Sequence, residues 1–405
     1  MSTATLAVLV ALLAVSFWRP LRRLRGALGG HLVASGHAFL VLGVAVGIAF
    51  GLPREAAFVD NLGPIVALAA GWVGFAAGTR FEGQVLRTVP VHAYARALAP
   101  ALAAAAAVGA AGVAVLAYAG APTAQVAGGA LCLAAAAASA GPTLAAVLRT
   151  RRARRSRDAA AMLRMVEFSA GIADGLVVVL ALAAFALVRP YAEPIAPASI
   201  LALSVGGGAA LGIAAWLFLG GDAIDDERLL LGLGALALIA GLGGYLEVSP
   251  AAVGAVAGVV LANLPGGRAD VLVGAVRRVE RPVVVILMAV IGMHIAGGVT
   301  RHVVPLVVAM TGLRLGAKAL ARGPRRDAID GAPSLATPAQ WTLGLAPQGI
   351  LGLVVALSFF HVWRDDLALA VLAAVALGGL INELLGPMLL LRVLRRLSTE
   401  EGRAR

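Results

Sequence analysis

Residues 123–148, TAQVAGGALCLAAAAASAGPTLAAVL, are apolar for the length of a membrane helix, yet Gly141 and Pro142 interrupt them well inside the run. Proline lacks a backbone donor and its ring collides with the preceding turn, so a regular helix does not pass through this point. In hydrocarbon, the amides and carbonyls released by such a break are tolerated only where they face protein or a wet cavity. A second apolar run, 337–360, repeats the arrangement in Leu345-Ala346-Pro347-Gln348-Gly349. One such break reads as a packing kink; two, seven spans apart, point to a site built between discontinuous helices.

The rest of the chain agrees with a membrane setting. Its 405 residues are 60% hydrophobic and only 13% charged, with a mean hydropathy of +0.93. A soluble domain carries about twice that share of charge. The net charge of +12 would suggest nucleic acid in a soluble protein. Here the basic residues crowd into short segments between apolar runs, which is the positive-inside pattern and not a nucleic-acid surface. A single cysteine, Cys132, excludes an intramolecular disulfide or a thiol pair.

Thirteen runs have the roughly 17 to 25 residues that a membrane helix needs. They are centred in 3–18, 31–51, 61–79, 97–119, 123–148, 163–188, 198–220, 229–247, 250–265, 283–299, 303–321, 337–360 and 366–391. Arg19, Arg22, Arg23 and Arg25 follow the first run, which sets the N-terminus outside and the C-terminus in the cytoplasm of an inner (plasma) membrane. Threading alternately from there leaves 27 of the 33 basic residues inside and four outside, with Arg314 and Lys318 within span 11. The longest polar connection, around 264–282, is too short for a soluble catalytic domain. Metalloprotease and serine-hydrolase motifs are absent, as is a second deep aspartate, so no enzyme and no cofactor are expected.

Because seven is odd, spans 5 and 12 run in opposite directions. The expected fold is therefore an all-α polytopic membrane protein with two inverted-topology repeats, spans 1–6 and 8–13 about a linking span 7, and crossed broken helices.

Ionisable residues inside a span are functional candidates because their burial is costly. Asp174 lies near the middle of span 6. Lys318 is the one lysine among 33 basic residues, and unlike arginine a buried lysine can release its proton. It is read as a titrating group or a compact partner for a carboxylate, or else as snorkelling to the interface. Arg314 stands one turn earlier on the same face and is the rival partner for Asp174. Glu167, within reach of Arg164, and Glu383, in span 13, are possible secondary charges. His37 and His294 are assigned no role.

These residues resemble the monovalent cation:proton antiporter superfamily, which includes the sodium/hydrogen exchangers, over most of the chain. Leu62-Gly-Pro-Ile-Val-Ala-Leu-Ala-Ala-Gly71 with Gly74-Phe-Ala-Ala-Gly78-Thr-Arg80-Phe looks like the family's third helix. Ala138-Ser139-Ala-Gly-Pro142-Thr143 and Gly344-Leu-Ala-Pro347-Gln348-Gly349 are similar to its two broken segments. Ile172-Ala173-Asp174-Gly175 looks like the helix that carries its acidic pair, and Leu313-Arg314-Leu-Gly316-Ala-Lys318 like the basic helix beside it.

The resemblance implies a homodimer in the lipid bilayer, with residues 1–96 and 223–301 as dimerising scaffold and 97–190 and 302–396 as a moving core. Residues 191–222 would be the linker and 397–405 a short cytoplasmic tail. Asp174 would bind Na+, K+ or Li+ in alternation with H+, and oxygens around the break, Thr143 among them, would complete the ion's shell. No metal beyond the transported alkali cation is implied. Three positions depart from the family pattern: Ala173 where an asparagine or aspartate is usual, Ser169 where some members carry a glutamate, and Gln348 where an arginine often occurs. With no second ionisable group beside Asp174, one-for-one electroneutral exchange is expected. Two alternatives stay open, a carrier of a small organic anion held by Arg314 and a non-transporting protein of the same fold.

Overall fold

The computed structural model describes residues 32–33, 35–51, 56–87, 89–141, 157–187, 197–219, 225–245, 248–265, 269–298, 300–321 and 342–404. These form helices with no strand: α1 His37–Phe50, α2 Ala56–Gly78, a short α3 Gly83–Arg87, α4 Val91–Tyr118, α5 Thr123–Ala138, α6 Arg157–Leu187 and α7 Pro197–Phe218. They continue with α8 Asp225–Tyr245, α9 Pro250–Asn263, α10 Ala269–Ile295, α11 from Val303 to Leu320, α12 Ile350–Trp363 and α13 Asp366–Ala404. Helix closes every backbone hydrogen bond within one segment, which is what hydrocarbon demands. Among the described residues, five helices are long and apolar enough to cross a membrane and five more are shorter apolar helices, so the chain is a multi-pass membrane protein.

Spans 2 to 13 each contain a helix, while span 1, the part of span 5 from 142 onward and the start of span 12 up to 341 lie outside the described residues. Two ends differ from expectation. α10 starts at Ala269, so most of the supposed polar connection 264–282 is helical, with apolar Leu272 and Val276 buried beneath its charged positions. α13 continues to Ala404, so residues 397–404 extend the last helix.

The helices pack in two groups. In the first, α2 lies against α9 and α1 against α10. Small residues let these backbones nearly touch: a Cβ on Gly74 would collide with the Ala251 carbonyl, and one on Gly254 with that of Gly71. Close backbone approach through glycine and alanine is the usual way to associate helices in lipid, where no hydrophobic force draws them together. In the second group, α4, α6 and α12 surround α5, whose last seven residues, Cys132 to Ala138, are all buried. α13 packs on α12, and α11 on α4.

α11 is interrupted by a π-helical turn at Ala309–Leu313. The irregular turn exposes the Met310 carbonyl, which accepts the Asn382 Nδ2 hydrogen at 3.0 Å. Directly after it come Arg314 and Lys318, both fully buried.

Candidate functional site

α5 stops at Ala138, and α12 begins only after Gly349, whose φ of −75° and ψ of 149° are extended. The amide of Gly141 donates to the Pro347 carbonyl at 2.9 Å, so the two interrupted segments meet backbone to backbone. A Cβ on Gly141 would stand 2.9 Å from the Gln348 carbonyl oxygen, and one on Gly349 3.2 Å from that of Ala140. A Cβ at 141 would force a shift and one at 349 would be tight, so glycine at both positions eases this approach.

A break leaves main-chain carbonyls without intrahelical donors, at the electronegative end of the helix dipole. Arg314 supplies those donors. Its Nε donates to Ala137 O at 3.0 Å, Nη1 to Ala346 O at 2.6 Å, and Nη2 to Ser139 O at 2.8 Å, with longer contacts to Leu345 O and Pro347 O. Lys318 Nζ donates to Ser139 O at 3.0 Å and to Leu345 O at 3.1 Å. The two cations of α11 thus tie the ends of both broken segments together, and in this structure neither takes Asp174 as its hydrogen-bonded partner.

Asp174 receives its ion pair from elsewhere. Arg80 Nη1 donates to Asp174 Oδ2 at 3.0 Å, and its Nη2 stands 3.7 Å from Glu280 Oε1. The Asp174 side chain is 6% exposed, whereas those of Arg80 and Glu280 are 35% and 34% exposed. The turn that carries Arg80 is fixed on both sides. Asn263 Nδ2 donates to Phe81 O at 2.8 Å while its Oδ1 accepts from the Gly83 amide at 2.6 Å. The Phe81 ring lies against Gly175, where a Cβ would come within 2.9 Å of it.

A cavity of about 280 Å³ joins these groups. Arg80 and Glu280 stand at its wetter end, and Asp174, Gln348, Glu383 and His37 also line it. On α10, His294 stands fourteen positions after Glu280, roughly 21 Å along the helix. There the His294 ring packs against Phe360 and His361 with centroids 5.1 and 5.4 Å away.

Of the residues singled out in the sequence, Asp174, Gln348, Gly349 and Glu383 meet at this cavity. Arg314, Lys318 and Pro347 form its carbonyl-lined support. Pro142 and Thr143 lie outside the described residues. Glu167 is on α6, two turns from Asp174, and does not line the cavity. In the sequence Arg80 falls at the end of the third-helix motif and Glu280 within the polar connection around 264–282. The signal that would have found Glu280 is the apolar spacing Leu272, Val276, Val279, Val283, which carries a helical period through the charges.

The sequence matches no known protein-family profile and no curated protein. Among solved structures, the chain is similar to the sodium proton antiporter MjNhaP1 from Methanocaldococcus jannaschii, with a TM-score of 0.63 and 14% identity over 97% of each chain. At that identity the likeness is one of fold: the chain has the fold of a sodium proton antiporter.

Proposed function

We propose that this protein exchanges a monovalent cation, Na+ in the first instance and otherwise K+ or Li+, for H+ by alternating access at Asp174. One observation carries the reading. The Asp174 carboxylate is buried among membrane helices, borders a cavity beside two broken segments, and is held by a guanidinium that remains partly exposed. A carboxylate in such a place needs a positive partner, because an unpaired charge in hydrocarbon is strongly disfavoured. Arg80, an alkali cation and a proton are three ways to meet that need, and they exclude one another.

This competition yields exchange. Arg80 follows α2, in the first packing group, whereas Asp174 is on α6, in the second. If the second group is the moving core and the first the scaffold, the Arg80 pair fastens the empty core to the scaffold. Loading Asp174 with a proton or a cation removes the anion that Arg80 holds and frees the core to move. Two loaded passages in opposite directions make an antiport cycle, and the unloaded passage that would leak is blocked. The α11 cations keep the two breaks joined during the motion. Arg314 is fully engaged with carbonyls, which weighs against its holding an organic anion.

The test is internal pH, read by dye, in proteoliposomes challenged in turn with Na+, Li+ and K+. A cation-driven pH change that is lost in Asp174→Asn is the expected result. Silence toward all three cations from well-folded protein between pH 6 and 9 would overturn the reading.

A further inference from the structure

The Asp174 cavity has a second polar wall, on different helices. Gln348 follows the break before α12 and is 3% exposed, yet neither its Oε1 nor its Nε2 has a hydrogen-bond partner among the described residues. Leaving a buried amide unpaired is costly, so a small polar group that the cavity admits is expected to complete it. Glu383, also 3% exposed, lines the same cavity from α13.

Glycines keep both groups accessible to the cavity. Gly379 is one turn before Glu383 on α13, and a Cβ there would stand 3.0 Å from Gln348 Oε1 and 3.4 Å from His37 Nε2. A Cβ on Gly141 would stand 3.5 Å from Glu383 Oε1. The missing side chains leave room for a small guest beside an amide oxygen and a carboxylate. Oxygen donors of this hardness suit an alkali cation better than they suit a soft metal.

We propose that Gln348 and Glu383 form a second cation station, which holds the incoming alkali ion while Arg80 still occupies Asp174. The inference rests on the exchange reading above and adds a waiting place to it. One amide and one carboxylate are a sparse set of donors for an alkali ion, so the station holds its ion weakly. Weak holding is what a transit site requires, since an ion bound too tightly does not move on. His37 Nε2, from α1, faces the same space and takes part in its polar lining.

Two measurements on the purified full chain test this. The first is equilibrium binding of ²²Na+ to Asp174→Asn, which cannot exchange. Residual weak binding is expected, and it should disappear when Glu383→Gln is added. The second is exchange by proteoliposomes carrying Gln348→Leu with Asp174 intact. The expected result is a cation KM raised by about fivefold or more and an altered Na+, Li+ and K+ ranking, with Gln348→Asn recovering part of both. If Asp174→Asn abolishes all binding, or if Gln348→Leu leaves KM and ranking within about twofold, the amide holds water only and the station is refuted. The two readings fail separately: wild type that binds ²²Na+ through Glu383 without exchanging would sink the antiport reading alone, and normal exchange with an indifferent Gln348 would sink the station alone.

Discussion

The guanidinium of Arg80 bridges two carboxylates, with Nη1 3.0 Å from Asp174 Oδ2 and Nη2 3.7 Å from Glu280 Oε1. The bond to Asp174 is short and leads into the bundle; the contact to Glu280 is long and lies nearer water. Arg80 therefore has a place to go when Asp174 is neutralised, and its charge is never left without a counterion. Under the exchange proposed above, this makes it a displaceable stand-in for the transported cation.

Replacing Arg80 with glutamine removes that competitor. The apparent KM for the cation should fall by roughly 1.5-fold to fivefold, the range for an ion pair that is partly screened. The unloaded core would also lose its fastening, so potential-driven cation flux without counter-movement of H+ should appear. Flux and pH recordings on the same vesicles measure both, and unchanged KM with full coupling would remove Arg80 from the mechanism.

Arg314 and Lys318 should differ in structural weight. Ser139 O and Leu345 O receive donors from both, but Ala137 O and Ala346 O receive theirs from Arg314 and not from Lys318. Arg314→Met strands buried carbonyls at both breaks, at about 1–3 kcal/mol each. Lys318→Met strands neither of the shared ones. Thermal unfolding in detergent should rank Arg314→Met well below Lys318→Met, and equal melting temperatures would contradict the division of labour.

How far the sequence could be read depends on the range of the interaction. The spans, the two breaks and the depth of Asp174 were legible, since each follows from a local pattern of apolar length, glycine with proline, or an isolated charge. The work of Arg314 was not. Its acceptors lie more than 170 residues away at Ala137 and Ser139, and they are main-chain carbonyls, which no side-chain pattern announces. Arg80 was hidden for a different reason. Positive-inside counting treats a basic residue at a helix end as topology, so a charge that folds back into the bundle looks like any other loop arginine.

Glycine placement gives a test of the packing. A Cβ on Gly254 would collide with the Gly71 carbonyl, whereas one on Gly206 meets nothing within 4 Å. Gly254→Val should destabilise the α2 and α9 pair by about 1–3 kcal/mol, as overpacking usually does. Gly206→Ala should stay within about 0.5 kcal/mol of wild type. The comparison is made by thermal unfolding in detergent; a tolerant Gly254 would mean that α2 and α9 are not held this closely.

Competition at one carboxylate fixes the sign of the pH dependence. As pH falls, protons fill Asp174 and the cation KM should rise, approaching tenfold per pH unit once the carboxyl is mostly protonated, with the maximal rate little changed by added cation. As pH rises, the cation binds readily but protons for the return passage grow scarce, so the rate should fall again. A bell-shaped rate profile measured at saturating cation would therefore be flattened on its acid side. If the cation KM is the same at every pH while exchange persists, the two ions do not share Asp174.

Stoichiometry follows from what stands beside Asp174. Ala173 is an apolar residue 2% exposed, so α6 brings one carboxylate to the cavity at this point. A single carboxylate takes one cation or one proton, and each loaded passage then carries the same charge in either direction. Exchange should be one for one and blind to membrane potential. Glu383 does not alter this, because a station that only passes its ion to Asp174 adds no charge to the passage. Setting the potential of Na+-loaded vesicles with a lipophilic cation should leave the initial exchange rate unchanged; a rate that follows the potential would mean that a second ion, held by Glu383, crosses with the first.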